Sequence, residues 1–286
     1  MKNILICGAN GQLGNELRGL QHRYQQHRFL FTDVDELNIT DQAAVLDFFR
    51  KEQVHVCINA AAYTAVDKAE SETALCYLIN ETAVQYLAEA CAACDALLLH
   101  VSTDFIFNGH QSVPYNETDA PDPLGVYGAS KWAGEQAALR NPKTIILRTA
   151  WVYSVYGKNF VKTMLQLGAT KPALSVVFDQ IGTPTWAHDL ADALLLIQEQ
   201  NPGPGQFGVY HYTNEGVASW FDFTKAIFEL KNIRIPLAPI ETSQYPTPAR
   251  RPAYSVLNKR KVRETFGLTI PYWRDSLQKC LEQMGS

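Results

Sequence analysis

The stretch KNILICGANGQLG, residues 2–14, decides the fold, because it joins an apolar strand, a glycine-rich turn and the start of a helix. The continuous apolar run NILIC is typical of a strand that is buried on both faces of a parallel sheet. Gly8, Gly11 and Gly14 follow in the spacing G-x-x-G-x-x-G, and helical periodicity begins at once in QLGNELRGLQHR. Glycines at such a turn let the backbone approach a pyrophosphate, and the helix N-terminus attracts its charge. We therefore predict dinucleotide binding at this turn.

Strands and helices alternate through the first half of the chain. Further apolar strands are predicted at RFLFTD, VHVCINAA, ALLLHVST and TIILRTAW, with helices between them at 41–52, about 70–94 and about 128–139. This alternation predicts an α/β protein with a doubly wound parallel sheet of the Rossmann type, whose ligands bind beyond the carboxyl ends of the strands. We expect residues 1–150 to form this NAD(P)-binding domain, with segments near 174–212 returning to it. Residues 151–286 are expected to form mainly a smaller C-terminal substrate-binding lobe.

Asp33 ends the second predicted strand, where the adenosine of a dinucleotide is expected. A carboxylate at this position accepts a hydrogen bond from the 2'-hydroxyl of the ribose and repels a 2'-phosphate. No arginine or lysine follows closely in TDVDELNITD to offset that repulsion. From the residues alone we expect NADH to bind at least as well as NADPH.

Three residues have the side chains that a carbonyl reductase requires. Tyr127 and Lys131 lie four residues apart in GVYGASKWAGEQ, on one face of a predicted helix, and Thr103 lies at the carboxyl end of the fourth predicted strand. Hydride transfer to a carbonyl carbon leaves an oxygen that must gain a proton, which Tyr127 can supply. Thr103 would donate a hydrogen bond to the developing alkoxide, and Lys131 would bind the nicotinamide ribose. The ammonium of Lys131 and the oxidised nicotinamide would together favour the phenolate and bring the pKa of the phenol closer to neutrality. We predict Thr103, Tyr127 and Lys131 as catalytic residues.

Composition excludes several other classes of protein. The 286 residues are 47% hydrophobic and 19% charged, and a net charge of -4 gives no electrostatic reason to expect a nucleic-acid partner. The apolar runs are shorter than the roughly 20 residues that span a bilayer, so no membrane helix is expected. The six cysteines include one C-x-x-C pair, Cys91 and Cys94, without a second pair or a histidine cluster. We predict reduced thiols in a cytoplasmic protein.

Motifs along most of the chain resemble those of the extended short-chain dehydrogenase/reductases. They are GANGQLG, VHVCINAAAYTAVDKAE, VSTDFIF, YGASK and LRTAWVY, followed by KNFVKTML, DQIGTPTWAHDLADALL, VYHYTNEG and YPTPARRPAYSVLN. AAYTAVDKAE and YPTPARRP are specific to one branch of that family. Membership of this branch implies reduction of the 4-keto group of dTDP-4-dehydro-L-rhamnose to dTDP-L-rhamnose, with NADPH or NADH as cofactor. It implies a dTDP-sugar as the partner of a monomer or homodimer.

The same resemblance implies roles for individual residues. The implied cofactor residues are Gly8, Asn10, Gly11, Gln12 and Leu13 at the pyrophosphate, Asp33, Val34, Asn38 and Ile39 at the adenosine, and Ala61, Ala62, Tyr63 and Thr64 with Tyr127 and Lys131 at the nicotinamide side. Thr103, Asp104 and Trp151 occupy substrate-contacting positions, although a tryptophan at a strand end could equally be a core aromatic.

Arg250 and Arg251, in the proline-stiffened PTPARRP, are our candidates for the sugar-nucleotide diphosphate. A guanidinium makes bidentate contacts to phosphate, which suits this task. The alternative interpretation is a surface loop of solvated charges.

Magnesium is a further implication, because some members of this family are described as using it to bridge subunits through glutamates. Glu16 is present in this chain, but His188 stands where a second acid is expected. We therefore predict no metal ligand.

Two alternative functions use the same fold. A sugar-nucleotide epimerase or dehydratase retains NAD and recycles the hydride, and a dehydratase needs an additional acid–base pair after the threonine. Asp104 could serve as one member of that pair, but no glutamate follows it in STDFIFNG. A non-catalytic regulatory subunit would be expected to lose part of the Thr103, Tyr127 and Lys131 set, which is intact here.

Overall fold

The computed structural model describes residues 1–285. Its strands are β1 (Asn3–Cys7), β2 (Arg28–Thr32), β3 (Val56–Asn59), β4 (Leu97–Thr103), β5 (Thr144–Thr149), β6 (Val152–Tyr153), β7 (Leu174–Val177), β8 (Ile181–Gly182), β9 (Thr185–Trp186), β10 (Gly208–His211), β11 (Ala218–Ser219) and β12 (Leu237–Ile240). Its α-helices are α1 (Gln12–Leu20), α2 (Gln42–Glu52), α3 (Val66–Ala69), α4 (Thr73–Tyr77), α5 (Ala83–Ala93), α6 (Val126–Ala138), α7 (Phe160–Thr170), α8 (Ala187–Glu199), α9 (Trp220–Leu230), α10 (Arg260–Phe266) and α11 (Trp273–Met284).

The central sheet has six strands in the order β10-β5-β4-β3-β1-β2, and every neighbouring pair is parallel. Its inner strands are nearly continuous apolar runs because both of their faces are covered by helices. The prediction of a doubly wound parallel sheet is confirmed. The direction of winding reverses between β1 and β3, and this switch point is where such sheets bind their ligands.

Helices cover the sheet on two sides. Apolar side chains of α1 and α8, among them Leu17 and Leu194, form one core with the strands. Side chains of α2 and α5, among them Phe49 and Leu87, form the second core. Each helix therefore buries one apolar stripe and leaves its polar side to solvent.

A third core defines the smaller lobe. It is built from α7, α9 and α11, with Val161, Phe223 and Leu277 fully buried. The segment expected near 174–212 returns to the sheet only in its later part. There α8 packs against α1 and β10 extends the sheet beside β5, whereas β7 pairs with β12 in a separate two-stranded sheet. The first half of β7 is partly exposed, unlike the fully buried β5, so it suits a small outer sheet.

Within residues 1–285, no helix has both the length and the apolar character that a bilayer crossing requires.

Candidate active site

A cavity of about 630 Å³ lies at the carboxyl ends of the central strands. It is lined both by the glycine turn after β1 and by residues of the smaller lobe. The predicted site residues in its lining are Gly11, Gln12, Leu13, Ala62, Thr64, Thr103, Asp104, Tyr127, Lys131, Trp151 and Arg251. The fold therefore brings together eleven residues that are scattered from the turn after β1 to the loop between β12 and α10.

The glycine turn packs closely against neighbouring backbone and leads directly into α1. Gly8 has a φ of +78°, and a Cβ there would lie 2.7 Å from the backbone nitrogen of Ala61. A Cβ on Gly14 would lie 2.4 Å from the carbonyl oxygen of Gly8. Gly11 precedes the first residue of α1 and, within the described chain, no side chain caps that helix N-terminus. Uncapped N–H groups at the start of a helix bind phosphate, so these residues fit a dinucleotide pyrophosphate.

The predicted adenosine residues lie beside this turn, outside the cavity lining. One carboxylate oxygen of Asp33 accepts from the backbone N–H of Asn10 at 3.0 Å, and the other from that of Val34 at 2.9 Å. Val34 is exposed, Ile39 packs partly buried against the second core, and the Asn38 side chain accepts from Thr40 N–H at 3.1 Å. Asp33 is thus held at the edge of the glycine turn, and these adenosine contacts stay predictions.

Lys131 is buried on α6, with 2% of its surface exposed. Its ammonium donates a 2.7 Å hydrogen bond to the carbonyl oxygen of Val101 on β4. Burial lowers the pKa of Lys131 to about 8, and the nearby charge of Glu135 partly opposes this shift. The ammonium form therefore still predominates at neutral pH.

Tyr127 lies one helical turn before Lys131 and faces the same cavity. Burial raises the pKa of Tyr127 to about 12, and interaction with the Thr103 hydroxyl only partly opposes the rise. Burial is thus the largest influence on this pKa among the groups of the chain itself, and the lowering expected from Lys131 together with the oxidised nicotinamide stays a prediction. Tyr127 accordingly holds its proton firmly at neutral pH.

Asp104 is a buried acid within the cavity lining, next to Thr103. Its side chain is 1% exposed, and its Oδ1 accepts from the Thr103 hydroxyl at 3.1 Å. Its Oδ2 has no hydrogen-bond partner in residues 1–285. Burial raises the pKa of Asp104 to about 6. A hydrogen-bonding group of a bound ligand could satisfy this oxygen.

Trp151 forms part of an aromatic wall and is only half buried. Its backbone has a φ of +49°, and its ring stacks on Trp220 with centroids 3.5 Å apart and an interplanar angle of 8°. The indole N–H of Trp220 donates to Gln180 at 3.2 Å, while Phe160 packs 4.5 Å from the Trp220 ring. Trp220 and Phe160 were not predicted. Phe160 lies in the KNFVKTML motif, but nothing in the local sequence pointed to Trp220.

The two candidate arginines occupy different environments. Arg251 lines the cavity, and its guanidinium is paired with both oxygens of Asp67 on α3. Arg250 is exposed and borders a small recess that also contacts Tyr127 and Glu70. Phosphate binding by either arginine stays a prediction.

A buried amide connects the loop after β3 with α6. Asn80 lies in a π-helical turn at Leu78–Thr82 between α4 and α5, and its Oδ1 accepts from the backbone N–H of Tyr63 at 2.8 Å. Its Nδ2 donates to the Ser130 hydroxyl at 3.0 Å, which in turn donates to the carbonyl oxygen of Tyr127 at 2.9 Å. Such π turns are frequent at functional sites. Asn80 was not predicted, because a single asparagine inside a helical pattern carries no distinctive signal.

The residues around Glu16 do not fit the implied magnesium. One carboxylate oxygen of Glu16 accepts from the Ser154 hydroxyl at 2.6 Å, and the other lies 3.1 Å from Nδ1 of His188. No group of three or more His, Cys, Asp or Glu side chains in residues 1–285 could hold a metal ion. Glu16 is thus satisfied by a hydroxyl and an imidazole.

Comparisons with known proteins agree over the whole length of the chain. The family model described as the RmlD substrate binding domain matches residues 1–286. A dTDP-4-dehydrorhamnose reductase of Aggregatibacter actinomycetemcomitans is 44% identical, over 97% of this chain and 98% of that protein. The solved dTDP-4-dehydrorhamnose reductase of Clostridium acetobutylicum has a TM-score of 0.94 at 41% identity, covering 99% of this chain and 100% of its own. The Bacillus anthracis enzyme of that name, solved in complex with NADP, has a TM-score of 0.94 at 36% identity and covers 99% of both chains.

Proposed function

This chain belongs to the family of the RmlD substrate binding domain, and from that membership we propose that it is a dTDP-4-dehydrorhamnose reductase. The reaction is reduction of the 4-keto group of dTDP-4-dehydro-L-rhamnose to dTDP-L-rhamnose. When bound, the reduced nicotinamide cofactor supplies the hydride for the carbonyl carbon. The single observation that supports this most directly is the meeting of Thr103, Tyr127 and Lys131 with the glycine turn in one cavity.

Tyr127 is the proton donor in this proposal. A phenol with a pKa of about 12 is protonated at neutral pH, so it can give a hydrogen bond to the keto oxygen before the reaction and a proton during it. Thr103 would donate a second hydrogen bond to the same oxygen. That bond strengthens as negative charge develops, which stabilises the transition state.

Lys131 and Asp104 complete the set. Lys131 is held by Val101 one helical turn from Tyr127, where its ammonium can bind the nicotinamide ribose and favour the phenolate that forms as the proton leaves. Asp104 is the acid directly after Thr103, and its unpartnered Oδ2 can bind a hydroxyl of the sugar.

We further propose that both NADH and NADPH are used, with a preference for NADH that Asp33 determines. The carboxylate is fixed against the glycine turn by the backbone N–H groups of Asn10 and Val34. A 2'-hydroxyl can donate to it, whereas a 2'-phosphate is repelled. The Bacillus anthracis relative was solved with NADP, so we expect the preference to be moderate.

A spectrophotometric assay with dTDP-4-dehydro-L-rhamnose tests the function. Stoichiometric loss of reduced nicotinamide absorbance, with dTDP-L-rhamnose as the product, is expected of a reductase. Turnover of the sugar nucleotide without net oxidation would instead identify an epimerase or dehydratase, and no turnover with intact cofactor binding would indicate a regulatory protein.

A further inference from the structure

The segment between β6 and α7 is tied to α1 at two points. The hydroxyl of Ser154 donates to Glu16 at 2.6 Å, and both of these side chains are buried. The side-chain amide of Asn159 donates to Oε1 of Gln12 at 3.0 Å. Gln12 and Glu16 are four residues apart and so share one face of α1. Residues 154–159, which belong to the smaller lobe, therefore cross the first turn of the helix that follows the glycine turn.

Lys158 lies between these two anchors. It is exposed, and it lines the same cavity as Gly11 and Gln12 at the start of α1. No hydrogen bond or ion pair is made by its ammonium within residues 1–285. The other cationic residues of the lining are already engaged, because Lys131 donates to Val101 and Arg251 is paired with Asp67. Lys158 is thus the lining cation that is free to meet an incoming anion in the described part of the chain.

We propose that Lys158 binds the pyrophosphate of the nicotinamide cofactor and that residues 154–159 thereby link the substrate lobe to the bound cofactor. The inference rests on the proposed function for the identity of the ligand. Its geometry comes from the Gln12 contact, which holds the segment at the helix N-terminus where a pyrophosphate fits. A sugar-nucleotide diphosphate has the same chemistry, so the test separates the two sources.

Removing the charge of Lys158 should affect the binding of NADH and of NADPH equally. NADH and NADPH share the pyrophosphate and differ only at the 2'-position, so Lys158→Gln weakens both by the same factor. A charge-assisted contact at an exposed site corresponds to a loss of about 10-fold in affinity. Lys158→Arg keeps the charge and restores most of the binding. Lys171→Gln removes an exposed lysine at the end of α7, outside the cavity lining, and serves as the matched control.

Isothermal titration of NADH, NADPH, ADP and dTDP into the full-length protein and these three variants decides the matter. The expected result is an equal loss for NADH, NADPH and ADP in Lys158→Gln, unchanged dTDP binding, and wild-type behaviour in Lys171→Gln. Unchanged cofactor affinity, or a loss confined to dTDP, overturns the proposal. If the natural protein binds NADH but fails to reduce the sugar nucleotide, the proposed function fails while the Lys158 result still stands.

Discussion

The guanidinium of Arg251 donates two hydrogen bonds to the carboxylate of Asp67, one to each oxygen, at 3.2 Å and 2.8 Å. Asp67 lies on α3, just after the third strand of the sheet, whereas Arg251 lies in the proline-rich loop of the C-terminal part. The backbone N–H of Ala249 donates to the same carboxylate at 3.2 Å. The two motifs that were most specific in the sequence, AAYTAVDKAE and YPTPARRP, are therefore joined at the edge of the cavity.

Breaking this pair is predicted to weaken substrate binding more than catalysis. Asp67→Asn keeps the shape of the side chain but loses the charge that orients Arg251. Both side chains are partly exposed, so the ion pair contributes little to stability. In a double-mutant cycle with Arg251→Gln, we expect a coupling free energy of about 0.5 kcal/mol between Asp67 and Arg251. The KM for the sugar nucleotide should rise about 2-fold to 5-fold with little change in kcat. Asp95→Asn, which breaks an exposed ion pair with Lys143, is the control, and an equal rise in that variant would contradict the idea.

Tyr127→Phe is predicted to keep the fold and the cofactor affinity while kcat falls at least about 100-fold, the usual scale of acid–base catalysis. The reason is that phenylalanine fills the same space without a proton to give. Steady-state kinetics together with cofactor titration make the measurement. Tyr272→Phe makes the same chemical change at an exposed position, and it should leave kcat and cofactor affinity unchanged. Near-normal turnover in Tyr127→Phe would remove this residue as the proton donor.

Lys131→Met is predicted to lower kcat and also to weaken cofactor binding. The reason is that we propose two roles for this lysine, stabilising the phenolate of Tyr127 and binding the nicotinamide ribose. Its pKa of about 8 adds a pH signature. As pH rises through that value the ammonium is lost, so kcat/KM of the natural protein should fall on the alkaline side. A profile that stays flat well above pH 8 would show that the charge of Lys131 is not required.

Asp33→Ser is predicted to shift cofactor choice toward NADPH. The substitution removes the carboxylate that repels a 2'-phosphate, while serine can still hydrogen-bond to a ribose hydroxyl. The measurement is kcat/KM for both cofactors in the natural protein and in the variant. The natural protein could instead prefer NADPH strongly, and the substitution could leave that preference unchanged. Asp33 would then not distinguish the 2'-hydroxyl of NADH from the 2'-phosphate of NADPH.

Asp104 is predicted to make stability depend on pH. Its pKa is raised from 3.8 to about 6 in the folded protein, so folding disfavours the charged form. Its contribution to stability is therefore fully present below about pH 4 and is lost as pH rises through about 6, a change of about 3 kcal/mol in the free energy of unfolding. Asparagine does not ionise, so the stability of Asp104→Asn should not show this loss. The free energy of unfolding of the variant should therefore increase relative to that of the natural protein as pH rises. The measurement is denaturant titration of both proteins across this pH range. If the two free energies of unfolding change with pH in parallel, the raised pKa is not that of Asp104.

Much of the fold, and the meeting of Thr103, Tyr127 and Lys131 in one cavity, could be predicted from the sequence because the signals are local. A buried strand, a glycine turn and an amphipathic helix are each encoded within a few residues, and Tyr127 and Lys131 are one helical turn apart. Parallel strands end at one edge of the sheet, so the approach of Thr103 to this pair followed from the alternation alone. The same reasoning predicts Asp33, directly after β2, as the residue that faces the adenosine.

Only the tertiary structure decided the features that depend on distant parts of the chain or on burial. Arg251 pairs with Asp67, Asn159 beside Lys158 donates to Gln12, and Trp220 stacks on Trp151, in each case through the docking of one part of the chain on a distant part. No local periodicity encodes such docking, since it arises from the joint packing of surfaces that are far apart in sequence. The pKa of Tyr127 rises for the same reason: it depends on how much water the assembled cavity excludes from the phenol.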